Sequence, residues 1–84
     1  MPALDEAQIV AEIRNGNGEA FAGIVEYYQA DIIRYLYRLT GDDNVAQDLA
    51  QDTFLNAYRG ITKHNVYISL RAWLYRIATN NARK

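Results

Sequence analysis

The basic residues of this chain crowd into its last third, where they alternate with aromatics and amides. From Arg59 to Lys84 the sequence carries Arg59, Lys63, Arg71, Arg76, Arg83 and Lys84, together with His64, Tyr67, Trp73, Tyr75 and three Asn, and no acid. Lys and Arg neutralise phosphates, Tyr, Trp and His stack on unpaired bases, and Asn hydrogen-bonds base edges. The chemistry on offer is recognition of a nucleic-acid strand. A second reading needs only packing, with Arg stems covering a core while their charged heads stay in water.

Catalytic chemistry is poorly supplied. There is no Cys, and His64, the single His, sits apart from the acids, so metal ligands at workable spacing are missing and His64 reads as a loop residue. No Gly-rich loop runs into Lys-Ser or Lys-Thr, which excludes that kind of phosphate cradle. The adjacent pairs Asp5-Glu6 and Asp42-Asp43 fit the first turns of helices better than acid-base work in a cleft, which short helices rarely provide. The expectation is a protein that is not an enzyme and takes no metal or cofactor.

Charge is strongly divided along the chain. Met1 to Asp52 holds all ten acids against Arg14, Arg34 and Arg38, a net of −7, whereas Thr53 to Lys84 holds six cations and no acid, a net of +6. Either two surfaces meet different partners, the basic one facing phosphates, or the halves neutralise each other in the fold. The absence of Cys fits a reducing compartment, the start lacks the basic-then-apolar order of a signal peptide, and no apolar run approaches the roughly 20 residues of a membrane span. A soluble, cytoplasmic protein is expected.

Eighty-four residues, half of them apolar, make one small domain near the lower size limit for a single core. Helical periodicity is broken mainly at glycines and predicts an all-α bundle of about four helices. The first, about Asp5 to Asn15, has a capping box in Asp5 and Gln8, a stripe of Ile9, Val10 and Ile13, and Gly16 at its C′ position. The second, about Gly18 to Thr40, places Phe21, Ile24, Val25, Tyr28, Ile32, Leu36 and Leu39 on one stripe and stops at Gly41. Tyr27, Tyr35 and Tyr37 fall off it and either widen the packed face, the favoured expectation, or are exposed.

The third helix, capped by Asp42 or Asp43, turns Val45, Leu49, Ala50, Thr53 and Ala57 inward, with Phe54 or Tyr58 beside them. Its other face collects Gln47, Asp48, Gln51, Asp52, Leu55, Asn56 and Arg59, which periodicity alone reads as a solvated acidic surface. After Gly60, the stretch ITKHNVYI has no clean helical period. Ser69 then caps a fourth helix with Leu70, Trp73, Leu74, Ile77 and Ala78 on the core side, leaving Arg71, Tyr75, Arg76, Thr79, Asn80 and Arg83 outward. The chain ends without a cap or breaker, so a longer polypeptide is expected.

At DDNVAQDLAQDTFLNAYRG, followed about ten residues later by LRAWLYRIATN, the chain resembles the second conserved region of bacterial sigma factors of the extracytoplasmic-function class. IRNGNGEAFAGIVEYYQADIIRYLYRLTGD is similar to the opening part of that region, so the resemblance covers residues 1–84 almost throughout. It implies a helical bundle that binds the clamp helices of RNA polymerase core and recognises and melts the promoter minus-ten element through the non-template strand. Carried over by position, Asp48, Gln51, Asp52, Leu55, Asn56 and Arg59 would meet the polymerase. Lys63, His64, Tyr67, Arg71, Tyr75, Arg76, Asn80 and Arg83 would meet the DNA, with Asn80 reading or steering a base.

ITKHNVYI corresponds to the loop that cups a flipped base, although His64 stands where many relatives have an aromatic and Val66, Tyr67 and Ile68 replace polar positions. Asp52 stands where Glu is commoner. The downstream helix-turn-helix domain that reads the minus-thirty-five element is absent, so a fragment or an incomplete factor is expected. Exposed aromatics and Leu55 would also suit an anti-sigma factor. The competing expectation is a helical interaction module of sigma-like sequence that binds no DNA.

Overall fold

In a computed structural model, residues 5–63 and 69–83 are described, and all the regular structure among them is helical. Helix α1 spans Glu6–Arg14, a 3₁₀ turn over Gly18–Ala20 leads into α2 at Phe21–Thr40, α3 runs over Asp43–Lys63, and α4 over Leu70–Ala82. The expected all-α architecture is present.

Local chemistry explains the boundaries. Gln8 N–H donates to the Asp5 carboxylate at 3.1 Å, so one half of the capping box forms, while the Gln8 side chain turns away to Glu12 at 3.5 Å. Asp42 is the acid that caps α3, accepting from Asn44 N at 2.9 Å and Val45 N at 3.2 Å. Ser69 caps α4 through Ala72 N at 3.2 Å. Gly41 closes α2 in the left-handed region at φ 72°, a conformation that costs little without a Cβ, and donates to Tyr37 O at 2.7 Å.

Helix α3 packs against both α2 and α4 and is the spine of the bundle. Ile24, Ile32, Leu36, Ile61 and Leu74 are fully buried where these helices meet. Phe21 on α2 meets Phe54 and Tyr58 on α3 edge to face, with ring centroids 6.4 and 5.3 Å apart. Helix α1 is pinned at both sides. Arg14 Nε donates to Ile61 O at 3.1 Å, satisfying a carbonyl in the last turn of α3, and the Tyr28 hydroxyl of α2 donates to the Glu6 carboxylate.

Four expectations need correction. Helix α3 does not stop at Gly60 but continues through a fully buried Ile61 to Lys63. Val45 is exposed, and the adjacent Ala46 is buried in its place, because the inward line runs Ala46, Ala50, Thr53, Ala57. Leu39 is half exposed: the buried line of α2 advances in fours from Ile24 through Tyr28, Ile32 and Leu36 and winds slowly round the helix, so the last turn carries Leu39 off it. Of the three off-stripe tyrosines, Tyr35 packs on the core while Tyr27 and Tyr37 are exposed.

Candidate nucleic-acid and protein interface

The six residues expected to meet a protein partner all lie exposed on α3. Asp48, Asp52, Leu55 and Arg59 follow one another at steps of four, three and four, which puts them on one strip opposite the buried line. Leu55 is about half exposed at 49%, an apolar side chain set between two carboxylates and a guanidinium. Gln51 lies to the α2 side of that strip, in a groove with Val25, Ile33 and Phe54. Asn56 lies to the α4 side.

Helix α4 presents three surfaces. Leu70, Leu74, Ala78 and Asn81 are buried. Arg71 and Tyr75 occupy the flank that faces α2. Asn80 and Trp73 occupy the flank that faces α3. Nine residues separate Arg71 from Asn80, about 180° around the helix. Arg76 and Arg83 stand exposed on the ridge between these flanks. Of the residues expected to bind DNA, Arg71, Arg76, Asn80 and Arg83 are therefore exposed around α4, Tyr75 is half-buried against the core, and Lys63 ends α3. His64 and Tyr67 lie outside the described residues.

Between α3 and α4 lies an open groove lined by Asn56, Arg59, Gly60 and Lys63 on one wall and Trp73, Ile77, Asn80 and Asn81 on the other. It unites Asn56 and Arg59 from the protein-facing set with Lys63 and Asn80 from the DNA-facing set, and its charged groups are two cations. Trp73 forms part of its floor, half buried against the core as its periodicity predicts. Asn81 is a residue that sequence reasoning missed. Its Nδ2 donates to Thr53 Oγ1 at 3.3 Å, and Thr53 in turn donates to Leu49 O at 2.7 Å, so the polar pair is satisfied inside the α3–α4 seam. The spacing of Asn81 three after Ala78 and seven after Leu74 carried the signal.

On the opposite flank Tyr35 and Tyr75 meet edge to face at 4.9 Å. The Tyr35 hydroxyl pairs with Thr79 Oγ1 at 2.7 Å, while Thr79 donates to Tyr75 O at 2.8 Å, fixing α2 against α4. Arg71 lies over the Tyr75 ring with its Cζ 5.1 Å from the centroid, which covers one ring face with a cation.

The charge division survives folding. Among the described residues the ion pair is Arg34 to Asp31 at 3.1 Å, within α2 itself. Arg59, Lys63, Arg71, Arg76 and Arg83 have no carboxylate partner among the described residues, so contact pairing between the two halves does not neutralise them. No helix among the described residues is long and apolar enough to cross a membrane.

Residues 24–84 match the family model for Sigma-70 region 2. The chain is 38% identical over 71 residues to the ECF RNA polymerase sigma factor SigW of Bacillus subtilis, covering 84% of this chain and 38% of that protein. It is 36% identical over 78 residues to the RNA polymerase sigma-H factor of Pseudomonas aeruginosa, covering 93% and 40% respectively. It thus spans about two-fifths of the length of these curated relatives. Among solved structures, an engineered region 2 of sigmaE in complex with GTAAAA superposes with a TM-score of 0.81 at 30% identity, over 99% of this chain and 87% of that one.

Proposed function

This chain belongs to the Sigma-70 region 2 family, and from that premise we propose that it is a non-enzymatic transcription-initiation domain with two working faces. The exposed strip of Asp48, Asp52, Leu55 and Arg59 on α3, with Gln51 and Asn56 at its edges, docks on the clamp helices of RNA polymerase core. Carboxylates around a small apolar centre suit a basic partner and orient its approach. The outer half of α4 takes the non-template strand of the promoter minus-ten element. There Arg76 and Arg83 hold phosphates, and Asn80, in the groove with Arg59 and Lys63, reads a base edge.

The observation that carries this reading is the cationic groove between α3 and α4. Its amides stand beside cations that have no carboxylate partner among the described residues. It joins directly onto the α3 strip through Asn56 and Arg59, so a strand held in it lies next to the docked polymerase. Melting then needs no nucleotide hydrolysis: the strand is captured as it separates, and binding energy offsets the unstacking cost of a few kcal/mol per extruded base. The complex of the engineered sigmaE region 2 with GTAAAA supports a strand-binding role for a domain of this fold.

A salt titration with a labelled minus-ten non-template oligonucleotide tests it. Affinity is expected to fall linearly in log–log form with salt, and Arg76→Ala to make that slope shallower by roughly 0.7, the contribution of one phosphate on a single strand. A folded protein that binds no strand even at low salt would instead favour the interaction module without DNA binding.

A further inference from the structure

The groove on the other side of α4, between it and α2, contains a basic cluster that the α3–α4 site does not use. Arg34 and Arg38 of α2 and Arg71 of α4 converge there with Asp31, Tyr35 and Tyr75. Three guanidiniums face one carboxylate. Asp31 is engaged with Arg34 alone, at 3.1 Å, leaving Arg38 and Arg71 without a carboxylate partner among the described residues. The floor is held in place, since the Tyr35–Tyr75 ring contact and the Tyr35–Thr79 hydrogen bond fix one helix against the other. Arg71 rests on the Tyr75 ring, which orients its planar donor fork.

We propose that this α2–α4 groove is a second phosphate clamp, in which Arg34, Arg38 and Arg71 grip the backbone of the same DNA beyond the stretch that meets Asn80. The proposal rests on the strand-binding role assigned above. Arg71 and Asn80 point to opposite flanks of α4, so they cannot serve one nucleotide. The exposed ridge of Arg76 and Arg83 lies between the flanks and makes the basic surface continuous from one groove to the other. The helix is about 10 Å across, roughly three stacked nucleotides, so a strand crossing it brings later phosphates to the arginine cluster. Guanidinium forks match phosphate oxygens in pairs, and a regularly spaced polyanion can follow such a path continuously.

The test compares a single strand of about six nucleotides with strands lengthened at the 5′ or the 3′ end by about six more, at several salt concentrations. Wild-type protein is expected to gain affinity from one of the two extensions. The double variant Arg34→Gln/Arg38→Gln is expected to bind the short strand as wild type does and to lose that gain, with a salt slope on the long strand shallower by roughly 1.4. Arg34→Lys/Arg38→Lys should keep most of the slope. If wild type binds the short strand and neither extension adds affinity, or the double glutamine variant keeps the gain, the clamp is wrong while the strand-binding role stands. If an acidic peptide competes for this groove and a lengthened strand does not, the surface serves a protein partner and the clamp is likewise overturned. No binding to any strand overturns both.

Discussion

A Cβ placed on Gly60 would come 2.5 Å from Cζ2 of Trp73, so the indole lies directly against the bare backbone of α3. This close approach, rather than a turn, is why the helix carries a glycine there. Gly60→Ala gains helix propensity of up to about 1 kcal/mol but forces the ring out of place at about 1–3 kcal/mol, for a net loss of about 1 kcal/mol. Thermal unfolding and Trp fluorescence together check it: the melting temperature should fall and the emission should shift as the indole leaves its seat.

The Asn81–Thr53 pair holds the same seam from inside. Truncation by Asn81→Ala removes the donor to Thr53 Oγ1, although Thr53 keeps its bond to Leu49 O. A loss of about 1–2 kcal/mol is expected in chemical denaturation, and Asn80→Ala, one residue away but exposed, should cost almost nothing in the same experiment. Equal losses for both would mean that the two asparagines are interchangeable in the fold.

Much of this architecture is legible in the sequence, and its departures share a physical cause. Apolar periodicity locates the four helices of the described residues, and Asp5, Gly16, Gly41 and Ser69 mark their ends, because caps and left-handed turns are local chemistry. Contacts between helices are not local. Gly60 reads as a break when seen without Trp73, Ala46 is overlooked beside the larger Val45, and Asn81 looks like a tail residue until Thr53 is opposite it. The site shows the same division: the exposed residues of α3 and α4 follow from spacing, while the meeting of Asn56 and Arg59 with Asn80 in one groove depends on how the helices pack.

Charge reversal on the α3 strip should separate the two faces. Asp52 is exposed and Asp52→Arg leaves the core untouched, so helicity should be unchanged and the unfolding free energy should remain within about 0.5 kcal/mol of wild type. Binding to RNA polymerase core is expected to weaken, mostly through slower association at low salt, as measured by stopped-flow or surface-based kinetics. Unchanged polymerase binding would remove the strip from the interface.

Alkaline pH should loosen the α1–α2 contact. Burial, and then the hydrogen bond and negative charge of Glu6, push the Tyr28 hydroxyl well above the ordinary tyrosine value of 10.0. Its raised folded-state pKa means that the stabilisation is fully present below about pH 10 and is lost as pH climbs above it. Tyr28→Phe should cost about 0.5–1.5 kcal/mol at neutral pH and flatten the fall in stability between pH 9 and pH 11, both figures being read from denaturation midpoints across about that range.

We assign to Asn80, in the groove between α3 and α4, the reading of a base of the minus-ten strand. Its most direct measurement is the affinity of Asn80→Ala for the minus-ten non-template oligonucleotide and for single-base variants of it, at one low salt concentration. The expected result is a loss of about 1–3 kcal/mol, roughly 5- to 150-fold, on the preferred sequence, with the preference relaxed at one base and the salt slope unchanged. An affinity and a base preference equal to wild type would mean that Asn80 does not read the strand.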